Sequence, residues 1–202
     1  KPIKRTVLIL FISISILLLS IYFLNPLFKP KKIDLKTATI INSTTPLKNN
    51  FSLIDTNNKK FTLSTLKGKW TLMFFGYADC PDICPATLGI MRDTWKMFPS
   101  NKRPANFVFA SLNPKTDNTK HLKAFLERFS YDFVGVTGQS TEMDHLSSQL
   151  NIFAKTVIAD NKSIIDHSAV LLLIDPKAQL KAIISPPLIS EEIVADLTAI
   201  IG

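Results

Sequence analysis

"WTLMFFGYADCPDICPATLGIM" runs from Trp70 to Met91. Trp70 to Tyr77 is bulky and apolar, the composition of a strand buried on both faces of a sheet. Leu88, Met91, Trp95 and Phe98 then recur at helical spacing. Between strand and helix lie Cys80 and Cys84, the only two cysteines of the chain, each followed by a proline. This order predicts that a buried strand ends, Cys80 opens a helix, and Pro81 fills a first-turn position where its missing N–H is not needed. Spacing of i and i+4 puts both thiols on one helix face. The positive end of the helix dipole is then expected to lower the thiol pKa and favour thiolate.

A staple, a redox pair and a metal clamp all remain open at this point. A bridge over so short a loop removes little unfolded-chain entropy, so a purely structural disulfide has little to contribute. Redox motifs at helix starts usually read C-x-x-C. The wider C-x-x-x-C spacing makes room for a third ligand. Two thiolates suit Cu(I), and an added imidazole makes a site that also accepts Cu(II).

Outward from this segment the pattern is α/β. "FSLIDTNNKKFTL" (Phe51 to Leu63) alternates around Asn57-Asn58 and predicts a hairpin. Ala105 to Leu112 is a second buried strand. Asp117 to Phe129 is a helix, "DFVGV" a short strand or loop, and Ser140 to Leu150 another helix. Ala169–Asp175 and Leu180–Ser185 are strands around a Pro176-Lys177 turn, and Glu191 to Ile201 is a closing helix. Alternating strands and helices with a late hairpin imply a mixed sheet flanked by helices.

Of the three histidines, His121 and His145 fall on polar helix faces and are expected to be solvated. His167 stands just before the Ala169–Asp175 strand. In a thioredoxin-like arrangement of these layers, the segment entering that strand faces the cysteine loop, so His167 is the candidate third ligand. Asp82, between the cysteines, is expected to serve the first helical turn rather than a metal.

The front of the chain differs from the rest. Val7 to Leu24 carries no charge, and a helix of that length reaches about 27 Å, close to the hydrocarbon thickness of a bilayer. Residues 1–28 are therefore expected to form a transmembrane anchor. A cleaved signal is the alternative, although Asn25-Pro26-Leu27-Phe28 makes a poor cleavage site. Residues 29–50, rich in Lys, Thr, Asn and Pro, are expected to be a flexible tether, and 51–202 the folded domain. Lys4 and Arg5 on one side and Lys29, Lys31 and Lys32 on the other leave membrane orientation undecided by charge. The formal net charge is +8, but the lysines are scattered without an Arg-rich stripe or aromatic interleaving, which excludes a nucleic-acid partner.

"FFGYADCPDICP", "FVGVTG" and "DHSAVLLLIDP" together resemble the SCO/SenC copper proteins, which assist cytochrome c oxidase assembly. The resemblance spans about Phe51 to Ile201, plus the anchor. It implies a thioredoxin-like fold behind one transmembrane helix. The domain would face the bacterial periplasm, or the mitochondrial intermembrane space in a eukaryote. It also implies copper, Cu(I) or Cu(II), held by Cys80, Cys84 and His167. The implied partners are the copper-binding subunit of cytochrome c oxidase and, upstream, another copper chaperone or a thiol reductase. The leading expectation is a membrane-tethered copper chaperone delivering to the binuclear copper centre of the oxidase. The alternatives are a thiol–disulfide reductase using Cys80 and Cys84 as a redox-active pair, and a copper or redox sensor. The chain departs from the family pattern at Asn113-Pro114-Lys115-Thr116-Asp117, where Asp-Pro-x-Arg-Asp is usual, at Leu171-Leu172-Leu173, where a Tyr is common, and at Ala178, where a turn Gly is common.

Overall fold

The computed structural model describes residues 2–24, 34–41, 45–99, 103–159 and 162–202. It divides into two compact units, residues 1–34 and 35–202. The first unit is α1 (Pro2–Leu24). Its Ile3–Phe23 segment, 21 residues with a mean hydropathy of 2.6, is long and apolar enough to cross a membrane. None of that segment is buried against protein, as a lipid-facing helix requires. Residues 25–28 of the expected anchor lie outside the described residues.

The second unit is built on an eight-stranded sheet. Its strands are β1 (Ala38–Ile40), β2 (Leu53–Asp55), β3 (Lys60–Phe61), β4 (Thr71–Gly76), β5 (Asn106–Ser111), β6 (Phe133–Thr137), β9 (Leu171–Ile174) and β10 (Leu180–Ile184), in the spatial order β1-β10-β9-β4-β5-β6-β2-β3. Two more strands, β7 (Ala154–Ala159) and β8 (Lys162–His167), pair only with each other among the described residues. The helices are α2 (Leu63–Leu66), α3 (Ile83–Met97), α4 (Thr119–Glu127), α5 (Ser140–Gln149) and α6 (Ser190–Ile201). β4 runs parallel to β5 and β5 to β6, while β9 lies antiparallel to β4. The sheet is therefore mixed, as the pattern implied.

The period of two along β4 separates two cores. Leu72 and Phe74 face Leu88, Met91, Leu122, Phe125, Ile193 and Leu197 of α3, α4 and α6. Met73 and Phe75 face the opposite side, with Leu63, Leu66, Met143 and Leu146 of α2 and α5. Every residue of β4 is buried, so neither face can accept a charge without desolvating it. The β2–β3 hairpin forms as expected, and Asn58 takes the left-handed conformation (φ 59°) that its turn requires. Ala178 has φ 58°, in the left-handed region that favours glycine.

Two expectations need correction, and one left open is decided. The segment 29–50 is not tether throughout. Ala38–Ile40 pairs with β10, and Leu47 is buried with its N–H on the carbonyl of Ala178. The buried Asp196 of α6 accepts hydrogen bonds from the backbone N–H groups of Lys36, Thr37 and Ala38. That clasp orders a stretch too short to show a period, and the compact unit starts at Leu35. Residues 29–33 and 42–44 lie outside the described residues. Of the two readings left open for "DFVGV", the short strand holds: β6 pairs in parallel with β5 from Phe107↔Phe133 to Ala110↔Val136. Finally, His167 does not stand in a loop. It ends β8, opposite Ala154.

Candidate metal centre

The chain leaves β4 at Gly76 and turns through Tyr77–Cys80, closed by the N–H of Cys80 on the carbonyl of Tyr77 at 3.2 Å. α3 begins only at Ile83, with Asp82 as N-cap. Cys80 and Pro81 therefore precede the helix rather than open it. Asp82 makes no side-chain cap hydrogen bond. Its place is taken by Cys80, whose Sγ accepts the N–H of Cys84 at 3.4 Å. This satisfies one of the orphan donors of the first turn. The i, i+4 spacing thus brings the cysteines together through a sulfur–amide contact at the helix entrance.

The sulfurs differ in environment. Cys84 is fully buried and Cys80 is 8% exposed. Cys84 Sγ lies so close to β4 that a Cβ at Gly76 would sit 2.8 Å from it and 2.9 Å from the ring of Phe109. Any residue but glycine at position 76 would displace the thiol. Burial pushes the Cys84 thiol far above its ordinary pKa, and the neighbouring Cys80 adds to this. The expected lowering at the helix terminus is therefore overturned for Cys84: desolvation of a thiolate outweighs the helix dipole here. Both cysteines are free thiols.

His167 reaches this turn from β8. Its Nε2 lies 3.5 Å from Cys84 Sγ, and its Nδ1 lies 3.3 Å from the carbonyl of Ser168. A carbonyl can only accept, so Nδ1 carries the proton and Nε2 presents its lone pair to the sulfur. Burial lowers the His167 pKa, opposed by the Ser168 carbonyl, which keeps the ring neutral and able to ligate. The ring sits between Phe74 and Tyr77, with centroids at 5.9 and 6.3 Å. The hydroxyl of Tyr77 accepts the N–H of Ile165 at 3.4 Å and so ties the cysteine turn to β8.

One donor atom from each of Cys80, Cys84 and His167 lies within 4.8 Å of the other two. Ligands about 2.3 Å from a shared ion stand roughly 4 Å apart, so small side-chain adjustments bring all three onto one soft ion. Asp82 lies on the rim of this centre, outside the three-residue group. A cleft of about 350 Å³ opens onto Cys80 and His167 between Pro81, Ile83, Val157 and Ile164. The other histidines lie elsewhere. His145 Nδ1 bonds the carbonyl of Asn50 at 2.8 Å. His121 is half exposed beside Asp79 and Asp117 rather than simply solvated.

Sequence reasoning missed Gly76, Tyr77 and the β7–β8 hairpin. The hairpin had a readable signal: Thr156-Val157-Ile158 and Ile164-Ile165 flank Asp160-Asn161, residue types that commonly bound strands. Tyr77 had none, because its partner is 88 positions away.

Known proteins are similar to this chain in sequence and in fold. The copper-bound structure of ScoI from Bradyrhizobium japonicum is 31% identical and superposes with a TM-score of 0.68 over 74% of this chain and 96% of its own. SCO2-like proteins of Rickettsia conorii and Rickettsia felis are each 31% identical over 171 residues, which is 83% of this chain and 83% of theirs. The SCO1/SenC family profile matches residues 41–202, from just after β1 through α6. With the match running through both halves of the metal centre, the chain belongs to the SCO1/SenC family.

Proposed function

We propose that this protein is a membrane-anchored copper carrier. The observation that carries the reading is the convergence of two thiols and one neutral imidazole within 4.8 Å. Soft sulfur donors favour Cu(I), and an imidazole nitrogen extends the set to Cu(II). Cys80, Cys84 and His167 are the ligands. Loading displaces the thiol protons, and the ion offsets the cost of burying two thiolates. The aromatic slot and the Ser168 carbonyl hold the imidazole in its ligating tautomer without a proton transfer.

α1 is the anchor, with the folded unit outside the cytoplasm, and the copper cargo passes to the binuclear centre of cytochrome c oxidase. The open cleft supports exchange: a partner's ligand can enter beside Cys80 and His167 while Cys84 stays covered. Titration of the reduced 202-residue chain in detergent tests the reading. One equivalent of Cu(I) should bind with a sulfur-to-copper charge-transfer band, and Cu(II) should give a distinct visible absorption. A reduced chain that takes up neither ion overturns it.

A second reading rests on the unequal burial of the thiols. Cys80 faces the cleft and Cys84 lies behind it, the order of an attacking and a resolving thiol. Cys80 would attack a partner disulfide, and Cys84 would release the partner's dithiol by forming the Cys80–Cys84 disulfide. Loss of a partner disulfide in step with loss of the two thiols, without copper, is the observation that favours this reading.

A further inference from the structure

Two carboxylates are buried among the described residues, Asp117 and Asp196. Asp196 is accounted for by the clasp on β1. Asp117, fully buried just before α4, has no part in the mechanism above. A buried carboxylate without partners is costly, so its contacts define its use. Its Oδ2 accepts the hydroxyl of Ser111 at 2.7 Å and the N–H of Ala78 at 3.2 Å, with Oδ1 at 3.4 Å from the same N–H. Both bonds are donated to it, as to an ionised carboxylate; burial raises its pKa, and the Ser111 and Ala78 bonds oppose that rise. Ser111 ends β5, and its hydroxyl also accepts the N–H of Asn113 at 3.0 Å. Ala78 lies in the turn that delivers Cys80. The imidazole of His121 stands 3.7 Å from Asp117 on one side and 3.5 Å from Asp79 on the other. A second strand of the network therefore returns to the same turn.

We propose that Asp117 is a positioning residue of the copper site: its carboxylate clamps the Ala78–Cys80 turn to β5, and its charge favours Cu(II) over Cu(I) on the thiolates. This deepens the carrier reading and rests on it. The clamp follows from geometry. Ser111 ends β5 opposite Gly76, the last residue of β4, Ala78 lies two residues beyond, and Asp117 bridges Ala78 and Ser111 past the end of the ladder. The charge effect follows from the ion count. Two thiolates with Cu(I) carry a net charge of −1, and with Cu(II) they are neutral. A fixed negative charge nearby penalises the first state relative to the second. His121 and Asp79 also face Asp117, and neither the clamp nor the ion count depends on their changing state.

The test compares Asp117→Asn, Asp117→Ala and Ser111→Ala in the 202-residue chain. In Asp117→Asn, which keeps the shape and removes the charge, the ratio of Cu(I) to Cu(II) affinity should rise about tenfold. Ser111→Ala keeps the charge and should leave that ratio within about threefold of the unmodified chain. Hydrogen exchange of the copper-free protein reads the clamp separately. The Ala78–Cys80 amides should exchange at least about tenfold faster in Asp117→Ala and move less in Asp117→Asn. Should Asp117→Ala fail to fold, Ser111→Ala carries the exchange measurement, with a smaller increase confined to the same amides. An unchanged affinity ratio in Asp117→Asn overturns the charge role, and unchanged exchange overturns the clamp. An unmodified chain that binds no copper instead sinks the carrier reading and the charge role with it, while the exchange data still decide the clamp.

Discussion

The sulfur ligands and the imidazole come from regions of opposite character. Cys80 and Cys84 sit where β4, buried along its whole length, meets α3. His167 sits at the end of a hairpin that pairs with no strand of the eight-stranded sheet among the described residues. A lone two-stranded hairpin is marginal in water. This one is held to the body by the Ile165–Tyr77 bond and by the imidazole itself. Ile165 also packs against the main core, so the site joins a half set in the central sheet to a half carried on a hairpin with few ties to the body. For the proposed carrier, that division would let the thiolates retain copper while the imidazole gives way to an incoming ligand.

Substitutions on the two halves should therefore differ in kind. The largest effect is expected for Cys84→Ser, which replaces the covered soft donor. Copper uptake should fall by at least about 1,000-fold, as measured by competition with a Cu(I) chelator, and near-normal uptake would break the comparison at its sheet side. His167→Ala should abolish the Cu(II) absorption yet cost only about 10–100-fold in Cu(I) affinity. Equal loss of both ions would mean that the hairpin is as essential a holder as the turn.

Acidification comes next. Cys84 is protonated in the copper-free protein throughout the neutral range because burial raises its pKa. Loading then releases its proton, so apparent affinity should drop at least about tenfold per unit of falling pH. A flat profile between pH 6 and 8 would place a thiolate there before copper arrives. Gly76→Ala should destabilise the fold by about 1–3 kcal/mol through overpacking against Cys84 Sγ and Phe109. Thermal unfolding should report this as a loss of several degrees. The smallest effect belongs to Tyr77→Phe, which removes one hydrogen bond worth about 1 kcal/mol. Amide exchange should quicken along β8 and stay unchanged in β4; acceleration in both would show that the halves are one cooperative unit.

The same division explains what could be read in advance. β4, β5 and β9 are apolar runs, and α3 to α6 carry apolar residues at helical spacing, so their order was visible from local pattern. Cys80 and Cys84 were visible because the chain holds no other thiols. His167 was reached through the resemblance and a layer argument, which found the residue but put it in a loop instead of at a strand end. What stayed hidden was set by distant partners. β1 depends on Asp196, about 160 positions later. The start of α3 shifted because the sulfur of Cys80 caps the helix from outside it. The Cys84 thiol responds to burial between Gly76 and Phe109, and neither proximity has a local signature.

The Asp196 clasp has a mechanical consequence. Any pull arriving along the chain at residue 34 meets the backbone amides gripped by α6 and then the β1–β10 ladder. The load is borne at the sheet edge formed by β1, with β10 and β9 between it and the strand that leads to the cysteine turn. Lateral drag should consequently loosen the outermost strand before it disturbs the cysteine turn, which would make the clasp a strain relief for the candidate site.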